Sequence, residues 1–442
     1  MVKLLAQTSG GTQVPRAIMH VDGDSFFVSC EFTRKPGLRG KPVVTGLERG
    51  IASAMSPEAK KAGIHRGMRL RDMRRVCPQV VILPSDYDMY ARYARRMYSI
   101  VRRYTDHVEE YSIDECFADL TGCPLSLPSG GSLSYEDIAR RIQADLHDSL
   151  GITFSLGLSV NKVMAKVASK WNKPNGFTVI GRDAIPVFLK ELPVGKIWGI
   201  GSRTTLYLKK LGITTALDLA LKDHVWINEY CDLPVARIYQ ELRGTSVLEL
   251  STQSHDDYAS VQRTRTFRPS SNDREFCWSQ LSQHVEDACI YLRKDARAAT
   301  KVSFFLKTQG FEYIGEEVLL PEAIAEPQEV LRALRPRFDK IFIPKLQYRA
   351  TGVTLFGLRS REKRTVSLFE DSVQLQKVSE VTRVVDVLAH KFGRGVVFLG
   401  SSLRAQQHDL QEDARNRAGQ SHIMPSRLDR KHFELIFLGE VR

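Results

Sequence analysis

The chain has 442 residues, 43% of them apolar and 26% charged, with a net charge of +13. That length exceeds one ordinary core and predicts three or four units of roughly 60–150 residues, and no stretch approaches the roughly 18 apolar residues of a membrane span. Met1-Val-Lys-Leu-Leu-Ala6 is too short for a signal peptide, and seven scattered cysteines without a CxxC pair exclude a disulfide framework and a zinc site and point to a reducing cytosol.

Residues 1–16 are polar and glycine-rich and read as a disordered N-terminus. Residues 18–21 read as a strand running into His20-Val-Asp-Gly-Asp-Ser-Phe-Phe27, with a helix over 26–32. A second strand follows over 41–45, then short helices over 57–62 and 68–75. Between Arg34 and Arg75 twelve Lys and Arg stand against three acids, a net of +9, which makes this module a surface suited to phosphates. Residues 87–105 carry Tyr90, Tyr93, Ala94, Met97, Ile100 and Val101 at helical spacing, a core stripe. Residues 108–120 read as a hairpin with Asp114 and Glu115 at the bend. A Gly/Ser/Pro-rich loop over 126–134, a helix over 135–150 and a strand over 154–159 complete this part.

Beyond residue 180 the pattern changes. Trp198-Gly-Ile-Gly201 opens a helix, and amides around Gly199 and Gly201 at a helix N-terminus suit a DNA phosphate held without sequence readout. An acidic, polar stretch over 251–257 reads as a linker. The last part alternates strands over 261–267, 301–307 and 349–356 with helices over 277–300 and 328–338. Arg263 and Arg265 share one face of the first of these strands and are candidate DNA contacts. Residues 401–442 receive no assignment.

The chemistry rests on two acidic clusters, Asp22 with Asp24 and Asp114 with Glu115, each at the end of a strand-like run. If those strands are neighbours, three or four carboxylates meet in a small volume, which is costly unless cations occupy it. Carboxylate oxygen with room left for phosphate fits a pair of Mg²⁺ ions. Two such ions clamping an attacking and a leaving oxygen serve nucleotidyl transfer.

His20-Val-Asp-Gly-Asp-Ser-Phe-Phe27 followed by Val-Ser-Cys-Glu31, with Tyr111-Ser-Ile-Asp-Glu115 further on, resembles the Y-family DNA polymerases. These are the translesion enzymes that include the DNA polymerase IV and polymerase V branches. The resemblance implies an α+β multidomain right hand. Its parts are a palm over 17–25 and 85–180, small fingers over 26–84 and a helix-hairpin-helix thumb over 181–250. A linker over 251–258, an α/β little finger over 259–362 and a C-terminal segment over 363–442 complete it. It implies a template-directed, low-fidelity polymerase that tolerates damaged templates. Asp22, Asp114 and Glu115 would be catalytic and hold two Mg²⁺ ions, with Mn²⁺ able to substitute, and Gly23 would add its backbone carbonyl. Asp24 is left without a role.

Phe27 would be the steric gate that rejects a ribose 2′-hydroxyl. Phe26, Phe27, Ser56, Lys60 and Lys173 would line the nucleotide site. The family run Ser/Asn-Tyr-Glu-Ala-Arg reads Ser56-Pro57-Glu58-Ala59-Lys60 here, so the phenol is missing and lysine replaces the bidentate fork of arginine. Lys173 in Asn172-Lys-Pro-Asn-Gly176 keeps the second phosphate contact, and Ser159-Val-Asn-Lys-Val-Met-Ala-Lys166 before it also matches. Arg364-Thr-Val-Ser-Leu-Phe369 resembles a sliding-clamp peptide without its first Gln, with Ser367, Leu368 and Phe369 as contacts. The implied partners are primer–template DNA and dNTPs, with no membrane, in a monomeric, bacterial-type cytoplasmic enzyme that joins the nucleoid when working. The alternative is a catalytically silent accessory homologue, a DNA-binding scaffold in a mutasome, against which the intact carboxylates weigh. A nucleotide cyclase sharing the palm is disfavoured by the thumb and little-finger segments.

Overall fold

Six consecutive buried residues, Ile18–Gly23, form β1, the central strand of a five-stranded sheet. Both faces of β1 are covered, which is why its run shows no polar alternation until the acids arrive. The computed structural model describes residues 16–123, 133–252, 258–361, 372–393 and 395–418. The N-terminal stretch, most of the 126–134 loop and the clamp-like Ser367, Leu368 and Phe369 lie outside these. Two units divide between Ser254 and His255.

In the first unit the sheet order is β5(Val108–Ser112), β6(Glu115–Asp119), β1, β7(Phe154–Ser159) and β8(Phe177–Ile180). Helices α4(Tyr87–Val101) and α5(Tyr135–Leu150) cover one face, burying Tyr90, Met97, Ile142 and Leu146 with Met19, Val21 and Leu156. The capping box of Ser134 with Asp137 starts α5, and Gly151 at φ +66 ends it. Helix α6(Lys162–Trp171) packs on β1, β7 and β8. Its Val163, Met164 and Val167 also join the core of α7(Ile185–Glu191), α8(Ser202–Lys210), α9(Ala216–Ala220), α10(His224–Tyr230) and α11(Leu233–Leu242). Buried Glu241 at the end of α11 accepts from the amides of Val247 and Leu248 at 2.7 and 2.9 Å, while Asn161 donates to its carbonyl at 2.7 Å.

A small separate core lies between α1(Phe26–Arg34) and α4 in the chain. It comprises β2(Val43–Thr45), β3(Ala54–Met55), α2(Pro57–Lys61), α3(Leu70–Val76) and β4(Val81–Leu83), packed around Val44, Met55, Ala59 and Met73.

The second unit is a four-stranded antiparallel sheet ordered β11(Tyr313–Ile324), β10(Arg297–Thr308), β12(Tyr348–Ser360), β9(Ser260–Ser271). Helices α12(Arg274–Lys294) and α13(Pro327–Ile341) back one face over a core of Leu281, Val285, Leu334, Phe338 and Val353. The helix expected over 277–300 ends earlier, because Ala296 takes φ +50 and residues 297–300 pair as β10. Strand β11 was not anticipated. Helix α14(Ser372–Phe392) is tied to α12 by Arg293, whose guanidinium donates to Asp386 at 2.6 and 2.7 Å. The unassigned C-terminal residues include α15(Leu403–Ala418), which closes on α12. Ala405 donates its amide to Ser279 at 2.9 Å, and Glu286 accepts from the Leu399 amide at 2.9 Å. Among the described residues no helix is long and apolar enough to cross a membrane.

Candidate active site

Strands β1 and β6 lie antiparallel with Asp22 opposite Glu115. The Gly23 amide donates to the Asp114 carbonyl at 2.9 Å, so the two acidic motifs are stitched together by backbone. A Cβ on Gly23 would stand 2.6 Å from the Phe26 ring. Glycine is therefore what lets the turn and α1 close on each other.

Each carboxylate is held differently. Asp22 is 5% exposed, and burial pushes its carboxyl up to about 7 against the pull of Lys173. Lys173 Nζ donates to Asp22 and stands 3.7 Å from Asp24. Asp24 accepts from the Ser155 hydroxyl at 2.8 Å and from the Asn175 amide at 2.7 Å. It thereby fastens the loop that carries Lys173. Asp114 accepts from the Ser112 hydroxyl at 2.7 Å.

Glu115 receives Lys166 Nζ at 2.6 Å, with His20 Nε2 at 3.8 Å. Burial acts to raise its carboxyl, but His20 and Lys166 outweigh burial and hold it well below the usual range. His20 is fully buried, and desolvation brings it down to about 4. Lys166 lies 4.2 Å from the Tyr111 ring and 5.0 Å from Trp198, and the Trp198 indole donates to the Tyr111 hydroxyl at 2.9 Å. Sequence reading quoted Lys166 but gave it no role. The signal was there: Lys162 and Lys166 lie one turn apart among Val163, Met164, Ala165 and Val167, and both are buried.

Among the described residues no three Asp, Glu, His or Cys side chains form a ready-made metal shell. Asp22 and Glu115 are each neutralised by a lysine instead. The donor set still fits a hard divalent cation: it is carboxylate oxygen, and Asp22 is buried enough to need a positive partner to stay ionised.

Phe27 stacks on Tyr90 with ring centroids 4.3 Å apart and meets Tyr87 edge-on at 5.6 Å. The Phe26 side chain is 3% exposed and belongs to the sheet core. Ser56 serves as a helix cap. Its hydroxyl is buried, accepts from the Ala59 and Val43 amides at 3.2 and 3.1 Å and donates to the Lys41 carbonyl at 3.0 Å. Pro57 follows this cap at the first helical position, where a missing N–H costs nothing. Lys60 reaches the acidic motif, its Nζ donating to Ser25 Oγ at 3.2 Å.

Gly199 at φ +90 and Gly201 precede α8, and a Cβ on Gly199 would meet Ile238 at 2.7 Å. Arg263 and Arg265 do not face open solvent. They share the side of β9 that buries Val261 and Phe267, Arg263 lying 3.8 Å from the Tyr291 ring and Arg265 pairing with Asp409. Both arginines, proposed above as candidate DNA contacts, are thus engaged with α12 and α15. The opposite side of β9 presents Gln262, Thr264 and Thr266.

The profile of the impB/mucB/samB family matches residues 21–170, that of its C-terminal domain residues 259–368, and that of the IMS family HHH motif residues 182–213. The chain is 32% identical over 324 residues to a DNA polymerase IV of Methanoculleus marisnigri, covering 72% of this chain and 88% of that relative. To a DNA polymerase IV of Neisseria meningitidis serogroup B it is 33% identical over 301 residues, covering 68% and 92%. To DNA polymerase IV 1 of Bacillus subtilis it is 29% identical over 398 residues, covering 89% and 94%. A solved Y-family DNA polymerase chimera superposes with a TM-score of 0.65 at 22% identity, covering 77% of this chain and 98% of its own.

Proposed function

The chain belongs to the Y family of translesion DNA polymerases, and we propose that Asp22, Asp114 and Glu115 are the carboxylates on which its nucleotidyl transfer depends. It is a DNA-directed DNA polymerase that takes primer–template DNA and deoxynucleoside triphosphates, and its family depends on divalent metal. The observation that carries the residue assignment is the β1–β6 register, which sets Asp22 opposite Glu115 with Asp114 bonded to the intervening glycine. We assign the site two Mg²⁺ ions, held by Asp22, Asp114, Glu115 and the Gly23 carbonyl, with Mn²⁺ able to substitute. Such ions would supply activation of the primer 3′-hydroxyl and neutralisation of the leaving pyrophosphate.

The chain's own groups do the rest. Lys173 and Lys60 are the cations beside the acidic motif that suit a triphosphate, and Phe27 on its Tyr90 base suits the flat floor beneath the sugar. Gly199 and Gly201 open the hairpin helix whose amides suit a backbone phosphate. The domain bounds given above, a monomeric state, nucleoid association and clamp binding through Ser367, Leu368 and Phe369 belong to the same reading. Nothing favours a silent scaffold.

Primer extension on an undamaged template tests it. We expect extension with Mg²⁺ that stops with chelator and returns when Mg²⁺ or Mn²⁺ is restored. No extension with either ion would leave only the scaffold.

Asp24 gives a second test. Its bonds to Ser155 and Asn175 make it the positioning residue of the Lys173 loop. The two donors go to different carboxylate oxygens, and in the amide one of these becomes an NH2 that cannot accept, so Asp24→Asn should raise the KM for dNTP about ten-fold with kcat and the Mg²⁺ requirement nearly unchanged. A collapse of kcat with a shifted Mg²⁺ dependence would make Asp24 a metal-holding residue instead.

A further inference from the structure

The open face of the four-stranded sheet carries an aromatic cluster for which the polymerase reading has no role. Phe305 on β10 faces Gly315 on β11 and Gly352 on β12, and a Cβ on Gly352 would lie 2.4 Å from its ring. Glycine on both flanks lets the ring lie across the sheet. Tyr313 sits 5.1 Å from Phe305 and is 63% exposed. Beyond it, in the β10–β11 turn, Phe311 is 61% exposed and held at φ +71. That left-handed conformation suits glycine or asparagine, so an exposed ring there is an expensive choice for a mere turn.

Two cations accompany the rings. Lys307 lies 4.4 Å from the Tyr313 ring and donates to its hydroxyl at 2.7 Å, and Arg349 lies 4.3 Å from the Phe311 ring. The turn is fixed by the Thr308 amide donating to the Glu312 carbonyl at 2.9 Å and the Phe311 amide to the Thr308 carbonyl at 3.0 Å. Exposed rings interleaved with cations on the open face of a helix-backed sheet are how sequence-tolerant single-strand binding is built: bases stack and phosphates pair. We propose that Phe311 and Tyr313, with Lys307 and Arg349, form a stacking site for an unpaired base of single-stranded DNA. The proposal rests on the polymerase reading and adds a contact that duplex cannot make.

The test titrates the full-length chain with labelled oligothymidylate and with blunt duplex of the same length. The Phe311→Ala/Tyr313→Ala variant should bind oligothymidylate about ten-fold or more weaker and duplex within about two-fold of wild type. Phe311→Tyr with Tyr313→Phe should restore the single-strand affinity, which separates stacking from misfolding. Irradiated 5-iodouracil oligothymidylate should crosslink to Phe311 or Tyr313. Equal loss on both DNAs overturns the proposal. So does unchanged oligothymidylate affinity with crosslinks elsewhere, the result expected if the cluster meets a protein. Primer extension by wild type reports on the polymerase reading separately, so the two ideas fail by different measurements.

Discussion

Asp22→Asn should reduce single-turnover nucleotide incorporation on the order of 10³-fold or more, and so should Asp114→Ala with Glu115→Ala. The expectation follows from position and charge together. Asp22 and Glu115 are cross-strand neighbours, and Asp114 is fixed by the Gly23 amide and the Ser112 hydroxyl. A neutral side chain at Asp22 also leaves Lys173 with Asp24, at 3.7 Å, as its remaining carboxylate partner. Fold should be spared, because an isosteric amide keeps the volume of a nearly buried site. DNA affinity by gel shift therefore stays near wild type while incorporation falls. Incorporation within about ten-fold of wild type would refute the assignment of Asp22. Lys166→Ala is the informative companion, since it removes the cation that keeps Glu115 ionised without touching a carboxylate. Its defect should shrink at high Mg²⁺ concentration, whereas that of Asp22→Asn should not.

The acidic site was legible because its chemistry is written in contiguous residues: a strand, two acids, a glycine and two aromatics within eight positions. What surrounds it was not. Lys166 meets Glu115 across 51 positions and Asn175 meets Asp24 across 151, and no local pattern encodes such partners. Other placements do follow from local pattern. Arg263 and Arg265 share strand parity with Val261 and Phe267, and that parity already assigned them to the helix-covered side. Ser56 precedes a proline, a helix-start signature that explains its hydroxyl without any ligand. Strand β11 hides behind Glu316, Glu317 and Pro321. Glu317 lies on the solvated face, Glu316 is met by Arg337 and Lys340 of α13 at 3.6 Å, and an edge strand tolerates the proline, but all three erase the strand signal from the sequence. The end of α12 is a different case, because nothing about Ala296 announces a positive φ.

Phe27→Ala should relax sugar discrimination on the order of 10²-fold while leaving the fold intact. The ring is clamped: Tyr90 lies parallel to it at 4.3 Å, Tyr87 caps it edge-on, and Arg49 sits 5.0 Å from Tyr87. Tyr90 is itself immobile, being fully buried with its hydroxyl donating to Glu31 at 2.8 Å. A ring so supported cannot swing aside to admit one more oxygen, and rigidity is what turns contact into exclusion. Truncation to alanine opens a space of ring size toward the nucleotide, so the 2′-hydroxyl no longer meets a wall. Loss of the stack also predicts a modest cost in stability, about 1–2 kcal/mol for a half-buried ring. The decisive readout is the ratio of kcat/KM for dNTP to that for the matching ribonucleotide, measured on one template. Discrimination should fall mainly through a rise in ribonucleotide incorporation, with dNTP incorporation changed by less than about ten-fold. Phe27→Tyr keeps the plane and should keep the ratio. A ratio that stays at the wild-type value in Phe27→Ala would place the gate elsewhere, and Tyr87, the exposed neighbour of the same stack, would be the next residue to replace.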